Sequence, residues 1–259
     1  MIDIIRARIH QKYRTIRFPD APPPAMPDRF RGRLLIDTQR CTNGCRQCAE
    51  ACPVEAITFT PDRQPVVDLG KCLFCDDCKR ACPQEAISHS GDYRLAVRKH
   101  EHLSVKPEAA LELAESLGGE LKKLLGRSLK LRQVSAGGCN ACEADVNVLG
   151  TVGWDLGRFG IQFVASPRHA DGLLITGPVT QNMKSALLDT YEAVAKPKIV
   201  IAVGACALSG GPFINHSEVN NGADTLLPVD LYIPGCPPHP LTILDGLLRL
   251  LGRIPSARL

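Results

Sequence analysis

The C-terminal half of the chain alternates short apolar segments with longer amphipathic ones. Near-continuous runs of Val, Ile, Leu and Ala predict strands that are buried on both faces of a sheet. The periodicity of later segments predicts helices over residues 183–195 and 241–251. Strands that alternate with helices are typical of βαβ units, so the pattern predicts an α/β domain with a doubly wound parallel sheet. The predicted strands are residues 129–134, 161–165, 173–176, 199–203 and 231–233.

The segment ahead of this domain has helical periodicity of its own. Leucines recur on one face between residues 107 and 125, and Pro107 suits the first turn of a helix. We expect one helix over residues 107–125 that bridges two domains. Its apolar face comprises Leu111, Leu117, Leu121, Leu124 and Leu125.

The start of the chain combines a basic arm with a proline-rich linker. Residues 19–27 include five prolines, which excludes regular helix and central strand. Residues 1–40 hold nine basic and four acidic residues. The arm is interpreted either as an amphipathic helix that lies on an anionic membrane face or docks on a partner, or as a helix packed on its own domain. Its apolar positions are Ile2, Ile5, Ile9, Tyr13 and Ile16.

Composition places the chain among ordinary globular proteins. It has 259 residues, of which 44% are hydrophobic and 22% charged, enough for one or two domains. A net charge of +4 and 5% aromatic residues do not indicate a nucleic-acid partner. The longest apolar run, residues 199–208, is shorter than the roughly 20 residues that span a bilayer. Charges interrupt the N-terminal apolar residues, so we expect no secretory signal.

The chain contains twelve cysteines, a number that points to disulfide bonds or to metal binding. In a reducing compartment structural disulfides are uncommon, and metal ligation is the more frequent use of clustered thiols. Eight of the twelve fall within 42 residues at spacings that metal ligands use. We therefore interpret the cysteines as metal ligands rather than disulfide partners.

Residues 36–95 contain a cysteine motif that occurs twice with an offset of 30 residues. The second copy, Cys72-x2-Cys75-x2-Cys78-x3-Cys82-Pro83, is typical of a [4Fe–4S] cluster of the bacterial ferredoxin type. In that motif three cysteines bind one cluster and the fourth binds the other, so the ligands cross between the copies. The predicted sets are Cys41, Cys45, Cys48 and Cys82 for one cluster, and Cys52, Cys72, Cys75 and Cys78 for the other.

The first copy departs from this spacing, because three residues separate Cys41 from Cys45 where two are usual. Gly44 gives the backbone freedom to absorb the extra residue, so we assign four ligands here as well. A three-iron cluster or an altered potential at this site is the alternative. Structural zinc, which also uses four cysteines, is the alternative for the whole region.

Four further cysteines each follow a predicted strand of the C-terminal half. Loops at the carboxyl ends of parallel strands meet at one edge of a sheet, so these thiols can converge although they lie far apart in sequence. Nearby glycines let the backbone approach a bulky cluster, and a helix that starts near Cys142 would favour its thiolate. The alternative is a redox-active Cys-x-x-Cys with two core thiols. The four are Cys139, Cys142, Cys206 and Cys236, and three sites of four ligands use all twelve cysteines.

These motifs resemble those of two known subunit families. Residues 36–95 resemble the two-cluster ferredoxin subunit of respiratory complex I and of energy-converting hydrogenases. Residues 127–250 resemble the small subunit of [NiFe] hydrogenases, which is homologous to the smallest cluster-bearing subunit of complex I. The resemblance rests on Phe30-Arg31-Gly32, Tyr93-Arg94-Leu95-Ala96-Val97, Gly138-Cys139-Asn140-Ala141-Cys142-Glu143, Thr176-Gly177-Pro178, Val203-Gly204-Ala205-Cys206 and Pro234-Gly235-Cys236-Pro237-Pro238.

The resemblance implies a flavodoxin-like domain preceded by an α+β two-cluster ferredoxin-like domain. It also implies that the last four cysteines bind one [4Fe–4S] cluster beside the active site of a separate large subunit. Two features favour the group 4 membrane-bound hydrogenases, which include formate hydrogenlyase. Two residues separate Cys139 from Cys142, and the chain ends soon after the proline-rich motif at Cys236. In these families the ferredoxin and the small subunit are normally separate chains, whereas here they are fused.

The sequence therefore predicts an electron-transfer subunit of an oxidoreductase, with three [4Fe–4S] clusters and no catalytic residue of its own. The expected partners are a hydrogenase-like or complex I-like large subunit, membrane subunits and an upstream electron donor. The expected location is the cytoplasmic side of the inner membrane, reached through partner subunits. The alternatives are a complex I-like quinone oxidoreductase or nickel-free hydrogenase relative, and a zinc-bound scaffold.

The changes of pattern along the chain predict four segments. A basic arm precedes two domains, and a helical linker joins them. The predicted boundaries are residues 1–35 for the arm and linker, 36–98 for the ferredoxin-like domain, 99–128 for the helical linker and 129–259 for the hydrogenase-like domain.

Several polar residues lie beside the predicted ligands in sequence. Glu143 and Asp145 could relay protons or orient the large subunit, or support the first turn of a helix. Arg168 and His169 could modulate a cluster or form interface ion pairs. His239 is expected to be structural, because four cysteines already complete the nearby site.

Overall fold

The computed structural model describes residues 2–42, 44–107 and 109–254. Its N-terminal half consists of short elements, because prolines, glycines and the cysteine motifs interrupt the apolar runs. In chain order they are α1 (Ile2–Gln11), β1 (Leu34–Ile36), α2 (Gln47–Glu50), β2 (Ile57–Phe59), β3 (Pro65–Asp68), α3 (Asp77–Ala81), β4 (Ile87–His89), β5 (Ser104–Val105) and α4 (Gly119–Leu125).

Two small antiparallel sheets carry the repeated cysteine motifs. β1 pairs with β4, which places Leu34 opposite His89 and Ile36 opposite Ile87. β2, β3 and β5 form a three-stranded sheet. Helices α2 and α3 begin 30 residues apart and contact each other. The sequence repeat is therefore also a structural repeat.

The C-terminal half is built around a parallel sheet of five strands. The strand order is β7-β6-β8-β9-β10. If the strands of this half are numbered 1 to 5 along the chain, this order is 2-1-3-4-5. That order defines a flavodoxin-like doubly wound fold. The elements are β6 (Leu129–Ser135), α5 (Ala141–Val148), β7 (Ile161–Phe163), β8 (Gly172–Thr176), α6 (Gln181–Ala193), β9 (Ile199–Val203), α7 (Ala205–Ser209), β10 (Leu231–Ile233) and α8 (Pro240–Leu250).

Both faces of this sheet are covered, as the near-continuous apolar strands predict. Leu173 and Ile175 of β8 pack on the face that α6, α7 and the N-terminal half share, whereas Leu174 packs on the face of α5 and α8. Every residue of β8 and β9 is buried. The five predicted strands and the two predicted helices are confirmed, and their ends differ by at most two residues from the prediction.

The two halves share one packed core. Backbone hydrogen bonds join Val97 to Tyr232 in both directions, at 3.0 and 2.9 Å, so the end of the N-terminal half adds to the edge of β10. The Ser209 hydroxyl of α7 donates to the Gly70 carbonyl at 3.1 Å. These contacts fix the repeated motifs relative to the carboxyl edge of the parallel sheet.

The prediction of a continuous helix over residues 107–125 is wrong, since only α4 is helical there. Leu111 and Leu117 are buried in an irregular segment whose backbone bonds to residues far away in sequence: Ala114 donates to the Ala96 carbonyl at 2.7 Å, and Leu117 to the Leu250 carbonyl at 2.8 Å. Tertiary contacts thus replace the helical hydrogen bonds, and Gly118–Gly119 delays the helix. Glu108 lies outside the described residues.

The basic arm projects from the core as α1. None of its residues is buried, and Ile2, Ile4 and Ile9 are at least two-thirds exposed. The interpretation of the arm as a helix packed on its own domain is therefore wrong. The chain joins the C-terminal half just after α1, where Ile16 donates to the Gly153 carbonyl at 2.8 Å and Arg158 donates to the Ile16 carbonyl at 2.6 Å. Within the described residues, α1 and all other helices lack the length and hydropathy of a bilayer-spanning segment.

Candidate metal centres

The structure gathers the twelve cysteines, all of them free thiols, into three groups of four. Members of each group lie close enough that their charges shift one another's pKa values. The first thiol group is Cys41, Cys45, Cys48 and Cys82, the second is Cys52, Cys72, Cys75 and Cys78, and the third is Cys139, Cys142, Cys206 and Cys236. These are the three sets that the spacing and the resemblance predict, and their role as ligands stays a prediction.

Each of the first two groups surrounds a cavity of its own. The cavity of the first group is small and is also lined by Ile36, Phe59 and Ile87. The cavity of the second group is similarly small and is also lined by Leu34 and Val54. Cys82 of the second motif lies with the first thiol group, and Cys52 of the first motif lies with the second group, as the predicted crossing of ligands requires. Asn43, within the widened spacing after Cys41, lies outside the described residues.

Backbone amides aim at several of these sulfur atoms. Ala56 and Ala86, which are equivalent in the repeat, donate to the Sγ atoms of Cys52 and Cys82 at 3.2 and 3.3 Å. The amide of Phe74 donates to Cys72 Sγ at 3.4 Å. Amide donors stabilise negative charge on a ligand sulfur and raise the potential of an iron–sulfur cluster.

The thiols are held in surroundings that oppose ionisation of the metal-free protein. Burial raises the pKa of Cys48 and Cys78 to about 11 and that of Cys72 to about 12. Burial, followed by the charges of Cys45 and Cys82, also raises the pKa of Cys41. Thiolates are the metal-binding form, so cations between the sulfurs are needed to compensate their charges.

The third thiol group lies at the carboxyl edge of the parallel sheet. Cys139 follows β6, Cys142 lies in the first turn of α5, Cys206 is on α7 after β9, and Cys236 follows β10. Cys142 is buried, whereas Cys139 and Cys236 are exposed, so one side of this group faces outward. Burial and the charges of Cys236 and Cys139 raise the pKa of Cys206 to about 12.

Glycine is required beside the third group. Gly204 adopts a φ of +88°, and a Cβ built there would lie 2.4 Å from Cys142 Sγ. Gly211 adopts a φ of +56°, and its Cβ would lie 2.8 Å from Cys206 Sγ. Glycine backbone therefore lies close to two thiols of this group, and its predicted approach to a cluster stays a prediction.

The donor set fits iron–sulfur clusters. Four sulfur ligands are the donor set of a [4Fe–4S] cluster, although structural zinc sites also use four cysteines. Cys82 lines the cavity of the first group and Cys52 that of the second, which is the crossed arrangement of a two-cluster ferredoxin motif. This crossing favours clusters over the zinc alternative.

The second thiol group lies between the other two. The charge of Cys48 in the first group raises the pKa of Cys78 in the second, after the larger effects of burial and of neighbours in its own group. The charge of Cys75 raises the pKa of Cys236 in the third group, after desolvation and the charge of Cys139. Sequence spacing did not predict this order, because it depends on how the two halves pack.

The polar residues beside the ligands have mostly structural partners. The Glu143 carboxylate is buried and accepts hydrogen bonds from Ser135 Oγ at 2.6 Å and Thr176 Oγ1 at 2.8 Å, which ties α5 to β6 and β8. Asp145 is half-buried, and desolvation raises its pKa. His239 caps α8 by accepting from the Leu241 amide at 3.1 Å, so its predicted structural role is confirmed.

Arg168 and His169 lie on a short turn after β7. Their expected influence on a cluster or an interface stays a prediction.

The fold and the thiol groups together define a class, the iron–sulfur electron-transfer proteins. Residues 139–250 match the family described as "NADH ubiquinone oxidoreductase, 20 Kd subunit", and residues 40–86 match the 4Fe-4S dicluster domain. The chain belongs to the family of that oxidoreductase subunit and of its hydrogenase relatives, and it carries a dicluster domain in addition. It is an oxidoreductase subunit that transfers electrons through iron–sulfur clusters.

Curated relatives match about half of the chain. A probable membrane-bound hydrogenase subunit of Pyrococcus furiosus is 42% identical over 52% of this chain and 81% of the relative. Formate hydrogenlyase subunit 7 of Escherichia coli is 44% identical over 56% of this chain and 57% of the relative. An NADH-quinone oxidoreductase subunit of Carboxydothermus hydrogenoformans is 39% identical over 56% of this chain and 96% of the relative. The partners of this chain are therefore expected to be other subunits of a multi-subunit oxidoreductase.

Proposed function

We propose that the chain is the electron-transfer subunit of a membrane-bound group 4 [NiFe] hydrogenase of the formate-hydrogenlyase type. The observation that carries this proposal is the third thiol group, which is outward-facing on one side and adjoins the second group on the other. Such a site can receive an electron from within the chain and pass it to a large subunit docked outside. The separation of Cys139 from Cys142 by two residues supports the hydrogenase branch.

The three thiol groups are proposed to hold one [4Fe–4S] cluster each. A cluster of this type supplies one-electron redox chemistry when bound. The chain itself supplies the thiolates, the amide donors and the fixed order of first, second and third group. Electrons from an upstream donor would enter at the first group and leave at the third, or pass in the reverse direction.

Each predicted segment is proposed to have its own role. Residues 36–98 would hold the first two clusters and residues 129–259 the third, joined by residues 99–128 and preceded by the arm and linker of residues 1–35. β5 lies in the predicted linker but pairs with β3, so the linker is proposed to support the ferredoxin-like domain as well. Residues 255–259 lie outside the described residues.

A quinone-reducing enzyme is the second candidate. The relative from Carboxydothermus hydrogenoformans carries the name of a quinone oxidoreductase subunit, and this chain spans 96% of it. In that case the chain would serve a complex I-like large subunit or a nickel-free relative of hydrogenase.

Metal content of the native complex separates these candidates. We expect about 12 iron atoms per chain from three four-iron clusters, and about one nickel atom from the large subunit. The complex is purified anaerobically through a tag on this chain, and iron, nickel and zinc are measured together.

Each result has a distinct meaning. Full iron with nickel supports the hydrogenase, and full iron without nickel supports the quinone-reducing or nickel-free alternative. A contribution of about 8 iron atoms from this chain, after the iron of the partner subunits is subtracted, would mean that one thiol group holds no cluster, and iron loss from a Cys236→Ser variant would identify the third group. Zinc in place of iron would refute the electron-transfer proposal.

The finer location is proposed to be the cytoplasmic side of the inner membrane, with α1 as a contact to the anionic surface. We expect the double change Ile5→Ser and Ile9→Ser to weaken binding of the full chain to anionic vesicles by about 100-fold or more, because each buried isoleucine contributes roughly 1.5–3 kcal/mol. Vesicle co-sedimentation measures the change. Leu124→Ser, at an exposed leucine of α4, is the matched control. Equal binding of both variants would contradict a membrane contact and point to a protein partner for α1.

A further inference from the structure

The loop of the second thiol group contains an unusual residue. Asp76, next to Cys75, adopts φ +71° and ψ +2°, in the left-handed region that favours glycine. Conformations of this kind persist when surrounding contacts determine them, and they concentrate at functional sites. The contacts of Asp76 should therefore show what holds it in this conformation.

Two side chains from outside the cysteine motif hold Asp76. Arg31 Nε, from the segment before β1, lies 2.8 Å from Asp76 Oδ2. His89 Nε2, at the end of β4, lies 2.7 Å from Asp76 Oδ1, although the contact lacks the alignment of a hydrogen bond and neither atom has a hydrogen-bond partner within the described residues. The remaining ring nitrogen of His89 lies 3.1 Å from the Gly32 carbonyl. The carboxylate is thus contacted from two sides.

Arg31 also holds the cluster loop directly. Its guanidinium donates to the Phe74 carbonyl at 2.8 Å, so it contacts the loop on both sides of Cys75. Asp76 and His89 line the cavity between the four thiols of the second group. The side chain of Asp76 is 20% exposed and that of Arg31 is 43% exposed, so water screens this pair less than a fully exposed one.

We propose that Arg31 and Asp76 are positioning residues that set the reduction potential at the second thiol group, with His89 fixing the orientation of Asp76. This inference rests on the proposed function, since it requires a cluster there. Reduction adds negative charge, which Asp76 opposes and Arg31 favours. Because Arg31 and Asp76 form an ion pair, removal of either charge leaves the other one uncompensated next to the second thiol group. The second group lies between the other two, so its potential governs passage of electrons along the chain.

Opposite shifts in two variants test the proposal. At a fixed ambient potential, we expect Asp76→Asn to raise the ratio of reduced to oxidised cluster about tenfold, which is about 59 mV for a one-electron couple. Arg31→Gln is expected to lower that ratio by a similar factor. Redox titration of the purified complex, followed by electron paramagnetic resonance, measures both. The signal of the second group is the one that Cys75→Ser alters.

Matched variants separate charge from backbone strain. Asp76→Gly relieves the left-handed strain and also removes the charge, so it should shift the ratio in the direction of Asp76→Asn. Glu101→Gln removes the same charge at a site that is 72% exposed and should leave the ratio within twofold. Shifts of equal sign in Asp76→Asn and Arg31→Gln, or shifts no larger than that of Glu101→Gln, would overturn the proposal.

Iron content distinguishes failure of this inference from failure of the proposed function. Wild-type complex without a cluster at the second group would refute the proposed function itself. If one variant loses iron, the sign of the shift in the other decides. Iron loss in both Asp76→Asn and Arg31→Gln would assign the pair a purely structural role and refute control of the potential.

Discussion

Gly204→Ala should remove about 4 iron atoms per chain from the purified complex, because it blocks one four-iron site. The added Cβ would lie 2.4 Å from Cys142 Sγ, a separation that real Cβ contacts do not show, and the φ of +88° is unfavourable for alanine. Cys142 is buried on α5 and has little room to retreat. Iron analysis of the purified complex, with spectroscopic assignment of the remaining clusters, measures the loss.

A second glycine provides the control for this change. A Cβ at Gly91 meets no atom within 4 Å, so Gly91→Ala should keep all of the iron. The first two thiol groups should also retain their clusters in Gly204→Ala, since they lie in the other half of the chain. Full iron in Gly204→Ala would show that the third group does not hold a cluster in this geometry.

Asp245→Asn is expected to cost about 3–5 kcal/mol of unfolding free energy, because it removes the charge that compensates the buried Arg249. The side chains of Asp245 and Arg249 are only 1% and 3% exposed, and Arg249 donates to both carboxylate oxygens, at 2.7 and 3.2 Å. Burial raises the pKa of Asp245 despite the opposing effect of Arg249, so desolvation dominates here. We expect the melting temperature to fall on the order of 10 °C.

Circular dichroism during heating of the full chain measures this effect. Lys99→Gln removes one partner of the exposed pair with Glu101 and should change the melting temperature by about 1–2 °C at most. The double variant Asp245→Leu with Arg249→Met removes both buried charges and should recover most of the stability. A small loss in Asp245→Asn would contradict the assignment of Asp245 as the main compensating group of Arg249.

The thiol groups could be predicted from sequence because cluster ligation constrains spacing locally. The repeat placed Cys52 and Cys82 in crossed positions, and the structure brings each to the opposite group. The sheet could be predicted because strands such as β9 are apolar at every position and buried on both faces. In both cases the signal, cysteine spacing or a continuous apolar run, lies within a short segment of the sequence.

The features that sequence did not predict depend on contacts between distant segments. Leu111 and Leu117 have helical spacing, but their segment is held by the carbonyls of Ala96 and Leu250 instead of its own. Neither Arg31 nor His89 has a local signal that indicates its contact, because their meeting at Asp76 requires β1 and β4 to pair. Tertiary packing therefore overrides local preference at these positions.

The attachment of the arm has a consequence for synthesis of the protein. Thr15 bonds to the carbonyl of Val152, a residue 137 positions later, and Ile16 bonds to Gly153 beside it. At translation rates of about 5–20 residues per second, the ribosome needs on the order of ten seconds to deliver that partner. During this interval α1 and its exposed isoleucines have emerged while their anchoring site does not yet exist. The nascent chain can therefore meet a membrane surface or a chaperone through α1 before the second half has been made.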